Sequence, residues 1–202
     1  MSFLKSALLV TLTTAALAAH ATSTPLAADD QWQTFGVDSY SALSGGTEWI
    51  DNDYTNETGY GTALDFNFTI GAGFVGQLTV VDASMAGDVF NVFNQGQLLG
   101  STSSVAVQLY GSAPDVGDDH DAALLSSVFS RGLFALGAGN YSISGVLTQS
   151  LMLDDGAGSL SPINATSGAL KLSVSAVPEP STLVFALLGL AWLVAPRRTY
   201  SR

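Results

Sequence analysis

Apolar and polar side chains alternate along several stretches of this chain, the pattern of half-buried β-strands. The pattern is clearest in Leu64–Ile70, where four apolar side chains face one way and three polar ones face the other. Further alternating stretches are Val105–Leu109, Tyr141–Leu147 and Leu170–Val174. Two more continuous apolar runs, Leu78–Val81 and Val89–Phe93, are typical of central strands that are buried on both faces.

Short polar segments separate these strands. Ala83–Gly87 is a short connection, and Asn94–Gln97 predicts a tight turn because Gly96 can take a positive φ. One helix is indicated over Asp121–Phe129, capped by Asp118 or Asp119. About eight short strands with such turns predict an all-β fold, an antiparallel β-sandwich that is jelly-roll-like.

The first 21 residues have the features of a secretory signal peptide. Lys5 is followed by an uncharged stretch, Ser6–Ala19, and the segment closes with the small residues Ala19 and Ala21 at the cleavage site. The alternative is a first transmembrane helix, but the run is short and contains three threonines. We therefore expect the mature chain to begin at Thr22.

The last 26 residues form a second targeting segment. Pro178 and Pro180 keep the backbone extended, and the apolar run Thr182–Ala195 has no ionisable side chain. Arg197 and Arg198 follow and favour the anionic cytoplasmic face of a membrane. The chain then divides into a signal peptide (1–21), a disordered lead-in (22–30), a β-sandwich ectodomain (31–175) and a C-terminal tail (176–202).

The body between these ends is strongly acidic. It contains 16 acidic residues against two basic ones, Arg131 and Lys171, for a net charge of −14. Nucleic acid is excluded as a partner, because its phosphates find no cations there to replace their counterions. The chain has no cysteine, so the exported domain is not held together by disulfides.

Oxygen-bearing side chains occur at alternate positions in Asp51–Glu57. Asp51, Asp53 and Glu57 are candidate calcium ligands, because calcium takes six to eight oxygen atoms. The segment lacks the glycine and the last glutamate of an EF-hand, so the alternative is an exposed polar loop. Further acidic candidates with less pattern are Asp82, Asp88 and Asp115–Asp121. We expect no cofactor other than calcium.

Two other kinds of site receive less support from the sequence. His120 lies among aspartates, but no Gly-x-Ser-x-Gly motif accompanies it, so a Ser-His-Asp hydrolase is the third of three hypotheses. Aromatic residues of the less regular N-terminal third are candidates for a sugar-stacking platform. They are Trp32, Trp49, Tyr54 and Tyr60.

The tail resembles the PEP-CTERM sorting signal of exported proteins in Gram-negative bacteria that make exopolysaccharide. The matching residues are Pro178, Glu179 and Pro180, then the apolar run, then Arg197 and Arg198. The resemblance implies a membrane-tethered intermediate and recognition by an exosortase, a membrane protease-transpeptidase. The product would go to the cell surface or the extracellular matrix. More loosely, residues 61–175 resemble a recurrent ectodomain of PEP-CTERM proteins, which brings no activity with it.

Three functions are therefore considered. The leading one is a non-enzymatic surface or matrix protein with a structural or adhesive role in an exopolysaccharide biofilm. The second is a calcium-supported carbohydrate-binding module, and the third is a secreted hydrolase that acts through His120. The negative body repels anionic polysaccharide, so direct binding requires a neutral glycan or bridging divalent cations.

Overall fold

The structure is a computed structural model that describes residues 21–56 and 58–177. Several residues predicted from the sequence to have a role lie outside the described residues. They are Ala19, Glu57, Pro178, Glu179, Pro180, Arg197 and Arg198. In the part of the chain that is described, no helix is long and apolar enough to cross a membrane.

The described residues contain eleven strands and one helix. In chain order they are β1 (Thr22–Pro25), β2 (Gln33–Asp38), β3 (Leu64–Ile70), β4 (Phe74–Ala83), β5 (Val89–Asn94), β6 (Gln97–Ser101), α1 (His120–Leu125), β7 (Arg131–Leu136), β8 (Gly139–Gln149), β9 (Met152–Asp154), β10 (Leu160–Pro162) and β11 (Ala165–Ala176). The structure confirms most of the predicted strands. β3 has the same bounds as the predicted Leu64–Ile70, and β4, β5, β8 and β11 contain the predicted segments Leu78–Val81, Val89–Phe93, Tyr141–Leu147 and Leu170–Val174.

Two sheets pack face to face. The first has the strand order β1-β3-β8-β5-β6 and the second has the order β2-β11-β4-β7, while β9 and β10 form a separate hairpin. All of these pairs are antiparallel except β1 with β3, which is parallel. The predicted all-β sandwich is thus confirmed. Its core is one apolar cluster contributed by both sheets.

The centre of this core is aromatic. The rings of Phe35 and Trp49 are stacked with centroids 3.9 Å apart, and Phe90 meets Phe35 edge-on at 5.3 Å. Two glycines within the strands make room for the stacked pair. A Cβ at Gly145 would collide with the Trp49 ring, and a Cβ at Gly168 would collide with the Phe35 ring. Larger residues at these two positions are therefore excluded.

The β5–β6 hairpin has the predicted tight turn. Gln95 and Gly96 both have positive φ angles, of 49° and 76°. That combination is the type I′ turn, whose twist matches the twist of the strands it joins.

The expected disordered lead-in is wrong for its first residues. Thr22–Pro25 is strand β1, which runs parallel to β3 at the edge of the first sheet. Leu26 follows it into the core and is 5% exposed. Proline is tolerated here because β1 is an edge strand that needs no further donor on its free side.

The alternating segment Val105–Leu109 is not a strand. Val107 is exposed, and Leu109 makes a single bridge to Met152. The carbonyl of Val105 accepts its hydrogen bond from the side chain of Gln149, not from a neighbouring strand. The residue pattern is right for a strand, but among the described residues the segment makes this one bridge and no continuous ladder.

The predicted helix is present but shorter. Asp119 caps α1 by accepting a hydrogen bond from the Ala122 N–H (2.9 Å). Arg131 Nη1 closes the other end, donating to the carbonyls of Leu124 (3.2 Å) and Ser126 (3.1 Å). A second apolar cluster joins α1 to the outer face of the second sheet. Its buried members are Val81, Ala86, Ala123, Phe129 and Ala169.

Candidate functional site

The loop aspartates, Asp51 and Asp53, are engaged by their own loop. Asp51 accepts hydrogen bonds from the Asp53 N–H (3.0 Å) and from the Asn56 side-chain amide (2.8 Å). Asp53 accepts from the Thr55 hydroxyl (2.6 Å) and the Thr55 N–H (2.9 Å), and these two bonds lower the pKa of Asp53. No group of three metal-binding side chains forms among the described residues. Since Glu57 is not among them, calcium binding here stays a prediction.

The four aromatic residues do not form one platform. Trp49 is 1% exposed at the centre of the core, where Gly145 leaves space for its ring, so it is not available for stacking on a sugar. Trp32 lies elsewhere, half-buried against the outer face of the second sheet. Tyr54 and Tyr60 are exposed. A stacking surface that contains both tryptophans is therefore excluded.

His120 belongs to the surroundings of Trp32. It is the first residue of α1, and the two rings lie 5.6 Å apart. Lys171 Nζ sits 4.7 Å above the Trp32 ring and 3.3 Å from an Asp30 carboxylate oxygen. Trp32 Nε1 donates to Asp121 (3.0 Å). These contacts fasten the segment before β2 and the helix to β11, which is a structural role.

A different pair of carboxylates lies inside the sandwich. Asp82 is near the end of β4 and Asp88 directly precedes β5, so the two flank the connection that crosses from one sheet to the other. Both residues are fully buried, with 0% exposure. We call Asp82 and Asp88 the buried aspartate pair.

Each member of the buried aspartate pair has one oxygen fixed and one free. Asp82 Oδ2 accepts from the backbone N–H groups of Gly87 (3.2 Å) and Asp88 (3.2 Å). Asp88 Oδ1 accepts from the Leu151 N–H (2.9 Å). The second oxygens, Asp82 Oδ1 and Asp88 Oδ2, are buried and find no hydrogen-bond partner among the described residues. Buried polar atoms without a partner are rare and point to a missing group.

Burial dominates the electrostatics of this pair. It raises the pKa of Asp82 to about 9, with a further contribution from repulsion by the Asp88 carboxylate. Burial also raises the pKa of Asp88, although the nearby Thr166 hydroxyl and the Leu151 N–H both lower it. Two ionised carboxylates therefore do not coexist here at neutral pH without a compensating positive charge.

Buried hydroxyl groups surround the same end of the core. Thr102 Oγ1 accepts from the Phe90 N–H (3.0 Å) and lies 2.9 Å from Ser130 Oγ. The Ser130 carbonyl in turn accepts from the Asp82 N–H (2.9 Å). This end of the sandwich interior is thus polar, whereas the remainder of the core is apolar.

One signal in the sequence could have singled out Asp82. It shares its parity along β4 with Leu78 and Val80, which both face the core. An aspartate at the next inward position is therefore expected to be buried. Nothing in the pattern indicates that Asp88 is also buried, because it lies in a connection.

A shallow groove of about 440 Å³ lies at the surface of the first sheet. It is lined by Asn67, Phe68, Thr69, Gln95, Asn140, Tyr141 and Ser142. None of these side chains is charged, although the body as a whole is strongly acidic. Phe68 and Tyr141 stack at 5.0 Å and pack against the core.

The fold defines this chain as an all-β sandwich domain. No known protein family matches it, and no curated protein matches it. Among solved structures it distantly resembles the pre-peptidase C-terminal domain of the collagenase from Bacillus anthracis. The identity is 6%, the match covers 76% of this chain and 95% of that domain, and the TM-score is 0.36. We draw no conclusion about function from a likeness of that size.

Proposed function

We propose that this chain is an exported, non-enzymatic protein of the cell surface or extracellular matrix. An exosortase sorts it through the PEP-CTERM signal in residues 176–202, and it has a structural or adhesive role in an exopolysaccharide biofilm. The sequence of the tail carries the proposal, through its Pro-Glu-Pro triplet, apolar run and basic end in that order. The signal peptide at the other end supports export.

The limits of the folded domain agree with this processing. Strand β1 begins at Thr22, directly after the expected cleavage site, and the Thr22 N–H donates to the Ala63 carbonyl (2.7 Å). Strand β11 ends at Ala176, and the Val177 N–H donates to the Gly73 carbonyl (2.8 Å). Cuts at the two predicted sites would therefore leave every strand of the sandwich in the released protein.

The order of the strands supports the jelly-roll type. With the short strands β1, β9 and β10 set aside, the eight remaining strands can be renumbered from one to eight along the chain. The first sheet then has the order 2-7-4-5 and the second has 1-8-3-6. This is the arrangement of two interlocked Greek keys, which viral capsid and lectin domains share. Such a fold hosts many functions, so it is compatible with a binding role without specifying one.

The test is the intact mass of the protein recovered from its host, with both terminal peptides mapped. We expect a chain that starts at Thr22 and ends near Pro178–Ser181. A matched variant, Glu179→Ala, should retain the tail while it keeps the same N-terminus, since only the sorting motif is changed. A wild-type chain that still ends at Arg202 would mean a plain membrane anchor and would overturn the exosortase assignment.

A second function, binding of a neutral glycan, is favoured by the uncharged groove. The amide and hydroxyl side chains that line the groove are donors and acceptors that suit sugar hydroxyls. The lining has no charged side chain that could pair with a charged ligand. The acidic body around the groove repels anionic ligands, so a neutral glycan is the better fit.

Affinity electrophoresis in gels that contain neutral or anionic polysaccharide tests this second function. We expect retardation by a neutral polysaccharide and its loss in Asn140→Ala, which removes an exposed amide from the groove. Gln77→Ala is the matched control, because Gln77 is an exposed amide on the second sheet. Equal retardation of both variants would exclude the groove as the binding site.

A further inference from the structure

We propose that the buried aspartate pair, Asp82 and Asp88, binds one calcium ion inside the sandwich and that this ion is a structural part of the domain. The site is separate from the loop aspartates. It does not depend on the proposed sorting or on glycan binding.

The pair has no basic side chain to compensate it. Among the described residues, the basic side chains are Arg131 and Lys171. Arg131 is bonded to the carbonyls at the end of α1, and Lys171 lies against Asp30 and Trp32. Both contacts are on the outer face of the second sheet, whereas Asp82 faces inward. Positive charge for the buried pair must therefore come from an ion or a proton.

The hydrogen bonds favour carboxylates that are ionised. Three backbone N–H groups point at the pair, two at Asp82 and one at Asp88. An N–H donor stabilises the charged form of a carboxylate. Each side chain is held by one oxygen while the other is left without a partner. Ligating carboxylates are commonly held in this way, with hydrogen bonds that orient them towards the metal.

The donor atoms select the ion. Carboxylate and hydroxyl oxygens are present at this end of the core, and the chain has no cysteine. Oxygen donors suit calcium or magnesium and not the softer transition metals. Magnesium keeps several of its water molecules, whereas calcium exchanges them for protein oxygens. Because Asp82 and Asp88 are fully buried, calcium is the better fit.

The competing occupant is a single proton. A protonated Asp82 would also relieve the repulsion from Asp88, and it would need no metal. The two alternatives differ in the calcium content of the protein and in the response of its Tm to a chelator, so one experiment separates them.

The experiment uses the protein purified from its host without chelator. Its calcium content is measured by elemental mass spectrometry, and thermal unfolding is then followed after dialysis against EGTA and upon addition of calcium chloride or magnesium chloride. We expect one calcium per chain that resists dialysis against buffer alone. Readdition of calcium at about a thousand times its Kd should raise Tm by roughly 10 °C. Magnesium should restore much less.

Two double variants locate the ion. Asp82→Asn with Asp88→Asn keeps the size of both side chains and removes the charges, so the domain can fold while calcium is lost. Asp51→Asn with Asp53→Asn is the matched control and should retain the ion.

The proposal is overturned if the control loses calcium and the buried variant keeps it. It is also overturned if wild-type protein contains no calcium and its Tm changes with neither EGTA nor added calcium. In that case a proton on Asp82 relieves the repulsion within the pair. The wild-type measurements decide the matter even if the buried variant fails to fold.

Discussion

The loop aspartates and the buried aspartate pair carry the same side chain in opposite settings. Asp51 and Asp53 lie in a surface loop, where neighbouring N–H, hydroxyl and amide groups occupy both oxygens of Asp51 and one oxygen of Asp53. Asp53 is exposed, so water reaches its other oxygen. Asp82 and Asp88 lie inside the sandwich, where one oxygen of each has no partner. Regularly spaced acidic residues in a loop therefore do not by themselves indicate a metal site, because donors of the same loop can hydrogen-bond to the carboxylates. An unsatisfied carboxylate in the core is the stronger indication of a bound ion.

The two settings also change the pKa values in opposite directions. Local hydrogen bonds from Thr55 lower the pKa of Asp53, whereas burial raises the pKa of Asp82 to about 9. Ionisation thus stabilises the folded chain at the loop and destabilises it at the metal-free buried pair. The following predictions use this difference.

The largest effect is expected from pH after calcium has been removed. The folded state then holds a proton on Asp82 up to a pKa of about 9, while the unfolded chain releases it near 3.8. The free energy of unfolding should therefore fall as pH rises between these values, by up to about 1.4 kcal/mol per pH unit. Asp88 is the charged group that faces Asp82, since Gly168 and Ser130 on the neighbouring segments are uncharged.

Urea unfolding in EGTA at pH 5, 7 and 9 measures this slope, and Asp82→Asn should flatten it. With calcium bound, both carboxylates stay ionised and the wild-type slope over the same range should disappear. A free energy of unfolding that rises with pH in EGTA would contradict the assignment of a protonated Asp82.

The next effect concerns the hydroxyl groups beside the buried pair. Thr102→Val keeps the shape of the side chain but leaves the buried Phe90 N–H without its acceptor and Ser130 without its partner. We expect a loss of about 1–3 kcal/mol in the free energy of unfolding. Thr148→Val is the control, because the Thr148 hydroxyl is exposed and water can replace its bond to the Val89 carbonyl. Equal losses in both variants would show that this end of the core is not specially dependent on its hydroxyl groups.

A smaller effect is expected at Lys171. It compensates exposed aspartates, whereas no described basic side chain compensates the buried pair. Lys171→Met removes its ion pair with Asp30 and its position over Trp32 but keeps the apolar stem. We expect a loss of about 1 kcal/mol that shrinks as salt is added. Chemical unfolding at low and high sodium chloride measures it. A loss that is unaffected by salt would mean that packing alone holds this segment.

The smallest effect is expected at Asp53. Asp53→Ala removes two hydrogen bonds to Thr55, which water can replace because the loop is exposed. The lowered pKa of Asp53 adds stability above its ordinary value of 3.8, and this contribution is lost as pH falls below it. Wild type and variant should therefore differ slightly at neutral pH and converge near pH 2 in thermal unfolding. A difference as large as that of Thr102→Val would show that the exposed bonds to Thr55 contribute as much to stability as the buried hydroxyl groups do.

The fold could be predicted from the sequence where apolar residues alternate and a partner strand lies nearby. Leu64–Ile70 and Leu170–Val174 meet both conditions. Val105–Leu109 meets only the first, because pairing depends on which sheet edge is in reach. The sequence pattern does not predict strand β1, because its residues have no apolar alternation and it becomes a strand by pairing with β3.

The candidate site was predictable only in part. The parity of Asp82 with Leu78 and Val80 places its side chain in the core. That Asp88 joins it depends on the crossing between sheets, a tertiary feature that strand periodicity does not contain. Trp49 shows the same limit, since its burial depends on Gly145 in a strand almost a hundred residues away.

Under the proposed C-terminal tether, the position of β11 has a mechanical consequence. This last strand is central in its sheet, paired with β2 on one side and along ten residues with β4 on the other. A force that pulls on Val177 acts along β11 and must shear both ladders at once, whereas an edge strand could be peeled away one hydrogen bond at a time. The sandwich would therefore transmit tension to its anchor without opening at the point of attachment.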